Sequence, residues 1–225
     1  VDPKRARKSA ADEMKKLKAN TKTLSADLDA LRQAAGDRHE ALAKLQAAAA
    51  RIKPKPDKKA TVGDNPELRK LLQSSRLAQA SSQYATSHQD IDGQLSNRGQ
   101  QRMMLSNLVS MTHICVEQHT GGKAGEAFES RRDTRLIHMA LQGLRDGHAP
   151  LDKAAKGVVR LPRPSKPVTE ATPISDLGDH AREAQTACGI ADEIRAAFSE
   201  FGSGLEDSSK IAMQGFAAAE DSDSA

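Results

Sequence analysis

Apolar side chains recur at alternating steps of three and four residues along the first part of the chain, through Met14, Leu17, Thr21, Leu24, Leu28, Leu31, Ala35, Arg38, Leu42, Leu45, Ala49 and Ile52. A repeat averaging 3.5 residues drifts around a straight α-helix, so a stripe this long stays on one face only when the helix winds about another. The pattern predicts a coiled-coil helix over 14–53, with Met14, Leu17, Leu24, Leu28, Leu31, Leu42, Leu45 and Ile52 as its interface. Thr21 and Arg38 interrupt the seam, and Gly36 costs about 1 kcal/mol relative to Ala inside a helix, so a bend near 36–38 is expected. In a parallel pair Glu13 faces Lys18 and Asp27 faces Arg32 of the other strand, both attractive. The expected partner is therefore a second copy, as a parallel dimer, or another helix. Ala41 and Ala48 broaden the stripe in its second half toward the face of a bundle helix, where packing within the chain competes.

After Lys53, Pro54 and Pro56 forbid helix and open a stiff polar linker over 54–64. Asn65, Pro66 and Glu67 form a helix start, followed by Leu68, Leu71 and Leu72 on one face. This begins a helical region spanning 65–146. Within it a second helix face runs through Met104, Leu105, Leu108, Met111, Thr112 and Cys115 to a stop at Gly121 and Gly122. A third helix over 124–146 buries Phe128, Leu136, Ile137, Ala140, Leu141 and Leu144. Pro150, Pro162, Pro164 and Pro167 mark 147–174 as a second linker. The stretch 175–216 predicts amphipathic helices, with Leu177, Ala181, Ala184, Cys188, Ala191, Ile194, Phe198, Phe201 and Leu205 aligned ahead of a break past Gly204. Residues 1–13 read as a basic flexible end, and 217–225 as a disordered acidic tail. The fold class expected is all-α: a long N-terminal coiled-coil helix, a loose helical bundle, Pro-rich linkers and that tail.

Composition supports this class, because Ala, Leu, Gln, Lys and Arg favour helix and the only aromatic side chains are one Tyr and four Phe. Charge is asymmetric: residues 1–60 hold 16 Lys/Arg against 8 Asp/Glu, an excess of +8 in a chain whose total is +4. The cluster Lys4, Arg5, Arg7 and Lys8 is a basic patch able to attract nucleic acid or another anionic surface. Two cysteines, Cys115 and Cys188, are too few for a disulfide framework. No window is apolar enough to span a membrane and no signal-peptide core follows the basic end, so the expectation is a soluble protein, cytoplasmic or secreted without disulfides. Val1 in place of Met predicts a processed or partial chain.

That basic cluster ahead of Leu17, Leu24, Leu31 and Leu45 resembles a basic leucine zipper over about the first 45 residues. The resemblance implies major-groove DNA binding, but the chain departs from the family pattern: no Asn lies between Lys4 and Lys18, and Asp12 and Glu13 interrupt the basic run. Other candidates are equally partial. His113, Cys115 and His119 do not share one helix face, since Cys115 lies about 200° round from His113, so no metal site is expected. Pairs of Cys115 or Cys188 with His138 or His180 lack the exposed, electropositive setting of a nucleophile. Gly121, Gly122, Lys123 and Gly125 miss the spacing of a phosphate loop. Arg131, Arg132 and Arg135 alternate with Glu126, Glu129 and Asp133, the pattern of ion pairs within one helix. Pro164 and Pro167 form a PxxP segment, with Leu161 where a basic anchor belongs. With no cofactor or catalytic group implied, the expected function is a non-enzymatic helical protein-interaction or structural module associating through a coiled coil. The alternatives are a bacterial secreted effector or secretion-apparatus component, a nucleic-acid binder using the basic end, and an enzyme of unknown class.

Overall fold

The computed structural model describes residues 2–96, 106–107 and 132–224. The helices described are α1 (Pro3–Ala50), α2 (Pro66–Ser74), α3 (Leu77–Ile91, continued by a π turn at Asp92–Ser96), α4 (Arg132–Asp146), α5 (His148–Arg160) and α6 (Leu177–Asp223). The chain is an all-α bundle; among the described residues the only β pairing is an isolated antiparallel bridge between Thr61 and Pro173. It divides into two compact units: one of Val1–Ser25, Asn97–Ala155 and Ala196–Ala225, the other of Ala26–Ser96 and Lys156–Arg195.

Helix α1 starts eleven residues ahead of Met14, at Pro3. Asp2 supplies the reason: its carboxylate accepts from the Lys4 N–H at 3.1 Å, and proline at the first helical position needs no amide partner. Ala6 and Ala10 extend the buried stripe forward, so residues 3–13 are the first turns of α1 and not a flexible end. Helical structure continues without a break through Gly36 and Arg38, and α1 stops at Ala50, three residues short of Lys53. In the first unit Met14, Leu17 and Leu24 are buried, as are Ile137, Leu141 and Leu144 of α4 and Phe198, Phe201 and Leu205 of α6. The Phe198 and Phe201 rings lie 5.5 Å apart in a tilted pair. Lys18 of α1 meets Glu206 of α6 at 3.0 Å, and Thr21 turns its hydroxyl back to the Leu17 carbonyl at 2.7 Å, which satisfies a buried polar group inside the stripe.

In the second unit α1 and α6 run antiparallel in steady register. Asp29 pairs with Arg195 at 2.7 Å, Arg32 with Asp192 at 2.9 Å, and Arg38 with Glu183 at 3.2 Å. The first two pairs are exposed and each contributes well under about 1 kcal/mol, so they fix register more than stability. The core here gathers Leu42, Leu45, Val62, Leu68, Leu77, Val168, Leu177 and Ala184, with Ile52, Leu71, Leu72 and Ile174 packed around it. Both proline-containing connections belong to this core. Val62 donates to Thr172 at 2.9 Å, Gly63 to Glu170 at 2.8 Å and Ile174 to Ala60 at 2.9 Å, which ties residues 60–63 to 170–174. Asn65 caps α2 through Oδ1, which accepts from the Glu67 and Leu68 amides at 3.0 Å. The Asp64 carboxyl is held below its ordinary range by the Thr61 amide and hydroxyl that donate to it.

Three boundaries differ from the sequence pattern. Residues 148–160, expected as linker, form α5: Pro150 sits in its first turn, where amides have no helical partner, and Leu151, Ala154, Ala155 and Val158 are buried. Helix α6 passes through Gly202 and Gly204 without interruption and continues to Asp223, so residues 217–223 are helical; Ala212, Phe216 and Ala219 are buried in that extension. The third predicted helix is described from Arg132 onward, while its first turns, and the face running from Met104 to Cys115, fall outside the described residues.

One glycine in the second unit marks a close helix contact. A Cβ on Gly157 of α5 would stand 2.6 Å from Ile194 Cγ1 of α6, well inside van der Waals contact. Gly157→Ala is expected to destabilise the chain by about 1–3 kcal/mol despite its better helix propensity, and to cost less in an Ile194→Ala chain, where the clashing Cγ1 is gone. Urea unfolding of the single and double variants measures both.

Candidate functional site

The second unit carries the polar features most unlike ordinary helix packing. Arg38 occupies a seam position where its neighbours are leucines, yet it is only 5 % exposed. Its guanidinium spans four elements: Nη2 donates to Ser165 Oγ at 2.9 Å and to Glu183 Oε1 at 3.2 Å, and its carbon lies 5.4 Å from the centre of the Tyr84 ring. Nη1 is buried with no acceptor among the described residues. The Tyr84 hydroxyl donates to the Pro162 carbonyl at 2.6 Å. These contacts seat residues 162–168, including the PxxP segment, as an extended strap against α1 and α3, with Val168 buried at one end. Arg38, Leu42, Leu77, Ser81, Tyr84 and Pro164–Val168 line a cavity of about 10 Å³, room for about one water molecule.

Burial holds the Tyr84 phenol neutral well above the ordinary tyrosine range; the Arg38 charge opposes this and Glu183 reinforces it. Because the folded group ionises later than the unfolded one, its contribution is complete below about pH 10 and is lost as pH rises beyond that value. Wild-type stability is expected to fall more steeply than that of Tyr84→Phe between about pH 10 and pH 11, as read by chemical denaturation at successive pH values.

An open groove of about 410 Å³ lies between α1 and the junction of α2 and α3. Ala41, Leu45 and Leu71 give it an apolar floor, while Asp37, Glu40, Lys44 and Arg76 stand along it with Ser74 and Ser75. Lys44 bonds Glu40 at 2.8 Å and holds that carboxyl below its ordinary range. The surface is aliphatic in the middle and charged with both signs at the edges.

The residues expected to form an interface are brought together inside the chain. Met14, Leu17, Leu24, Leu28, Leu31, Leu42 and Leu45 are buried, and Ile52 packs against the second unit's core beyond the end of α1. The four residues expected to form ion pairs between strands have partners in the same chain. Glu13 holds Lys16 at 3.0 Å, Lys18 holds Glu206, Asp27 accepts from Gln94 at 3.2 Å, and Arg32 holds Asp192. Of the basic patch, Lys4, Arg5 and Lys8 are exposed whereas Arg7 is 3 % exposed, so the four do not present one cationic face. Cys188 is a half-buried free thiol; His180 lies eight residues before it on α6, about 12 Å along the axis and out of reach. His113, Cys115, His119, the glycines at 121, 122 and 125, and Lys123 lie outside the described residues. Among the described residues no group of three or more His, Cys, Asp or Glu is arranged to hold a metal, and no helix is long and apolar enough to cross a membrane. Tyr84 and Glu183 are marked by no motif, and Ser165 lies within the PxxP segment; the one signal pointing to the three together is a charged residue, Arg38, at a seam position.

Comparison with protein-family models, with curated proteins and with solved structures gives no match.

Proposed function

We propose that this chain is a non-enzymatic helical interaction module that receives an amphipathic peptide or helix in the groove between α1, α2 and α3. The carrying observation is the groove itself: an aliphatic floor of Ala41 and Leu71 on capped, core-anchored helices, flanked by Asp37 and Glu40 and by Lys44 and Arg76. A partner helix with one or two aliphatic anchors and charges of both signs at its edges complements this surface, and the rigid walls lower the ordering entropy of docking. The leucine seam serves the module from within, as the element that holds the groove's walls in place. Its burial leaves the seam leucines out of reach of a second copy unless the chain opens.

A photo-crosslinking residue in place of Ser74, which is exposed on the groove, tests this in the cells that make the protein. One discrete heavier adduct is expected from position 74, none from the exposed control position Lys16, and loss of the adduct when Ala41→Glu is added. The same adducts from both positions, or none from position 74, would reject the reading.

A further inference from the structure

We infer that Ser165 is a phosphoacceptor and that its phosphoryl group is received by Arg38. Three observations in the second unit carry this. Ser165 Oγ already accepts from Arg38 Nη2 at 2.9 Å, so a group attached to that oxygen begins within reach of the guanidinium. Arg38 is almost fully buried, and its second terminal nitrogen, Nη1, faces no acceptor among the described residues; a buried N–H left in this state is a standing penalty that an anion removes. Ser165 and Arg38 both line the small cavity of about 10 Å³, so a phosphoryl group carried on Ser165 is delivered beside Nη1 once the strap makes room for it.

Charge around the site favours a dianion. Arg163 and Lys166 flank Ser165 on the exposed strap, and Arg38 approaches from α1, against one carboxylate, Glu183. The strap has room to shift outward for the added group, since Arg163, Pro164, Lys166 and Pro167 are exposed. The reaction is ordinary phosphoryl transfer by a separate serine kinase. Ser165 Oγ bonds to the γ-phosphorus of a nucleoside triphosphate, the bond from that phosphorus to the bridging oxygen breaks, the nucleoside diphosphate leaves, and the hydroxyl proton passes to the kinase's base. The product carries close to two negative charges and three acceptor oxygens. It draws Arg38 away from Glu183 into a bidentate pair and fastens the strap over α1 and α3.

Phosphoserine placed genetically at position 165 of the full chain makes the test independent of any kinase. Hydrogen exchange of the strap amides at 163, 165, 166 and 168 is expected to slow about tenfold, the effect of one added charge-assisted hydrogen bond. The phosphorus resonance is expected to titrate below the ordinary second ionisation near pH 6. Both effects should disappear with Arg38→Gln. Should that variant fail to fold, Glu183→Gln replaces it and is expected to slow exchange further, because the competing carboxylate charge is gone. Strap exchange that is unchanged or faster on phosphorylation, or a phosphoryl group titrating as in a free peptide, overturns the inference.

Discussion

Leu17→Ala and Leu45→Ala, one in each compact unit, are each expected to lower unfolding free energy by about 2–5 kcal/mol, with a melting midpoint that does not move with protein concentration. Leu17 is 0 % exposed and Leu45 1 % exposed, so truncation removes apolar contact on all sides and leaves a space that rigid helices fill only partly. Concentration separates the two ways of hiding the same stripe. Leucines shared between two copies would make the midpoint rise with concentration by mass action, whereas leucines covered within one chain leave it fixed. Circular dichroism melts over a hundredfold range of concentration decide the point, and a midpoint climbing with concentration would contradict burial within the chain.

The same comparison shows what the sequence made legible. A 3.5-residue repeat encodes that a helix needs a companion, and it placed Met14 to Leu45 in a core; it does not encode where the companion comes from. That information lies 145 to 188 residues away, in Glu183, Asp192, Arg195 and Glu206, whose charges complement Arg38, Arg32, Asp29 and Lys18 in an antiparallel arrangement. The Glu13–Lys18 and Asp27–Arg32 pattern was equally consistent with a parallel dimer because local spacing tests only the geometry it assumes. Pro150 and Gly204 are helix breakers by local rule, and in both places tertiary burial outweighs the local signal. Proline in a first turn forfeits no hydrogen bond, and a glycine penalty of about 1 kcal/mol is small beside the burial of Phe201, Leu205 and Phe216 on either side of it. The groove between α1, α2 and α3 is not legible for a different reason. Ala41 and Leu71 are unremarkable members of two apolar stripes, and only the junction at Ser74–Arg76 leaves a gap between them.

Arg38 is expected to divide sharply between two substitutions: Arg38→Ala lowers stability by about 3 kcal/mol, and Arg38→Met by about 1 kcal/mol or less. Alanine removes the ion pair to Glu183, the bond to Ser165 Oγ and the contact with the Tyr84 ring together, and opens a space under the strap. Its loss falls at the lower end for a broken buried pair because the Glu183 side chain, 26 % exposed, regains water once released. Methionine keeps an aliphatic stem at the cavity that Leu42 and Tyr84 also line, restores an apolar residue to the seam, and relieves the unmatched Nη1. Urea unfolding at neutral pH ranks the two. Equal losses would mean that the charge, and not the packing of its stem, holds the strap in place. The expected ranking assigns the hold on the strap to the packing of the Arg38 stem, while the guanidinium's bonds to Ser165 and Glu183 little more than offset the cost of burying its charge.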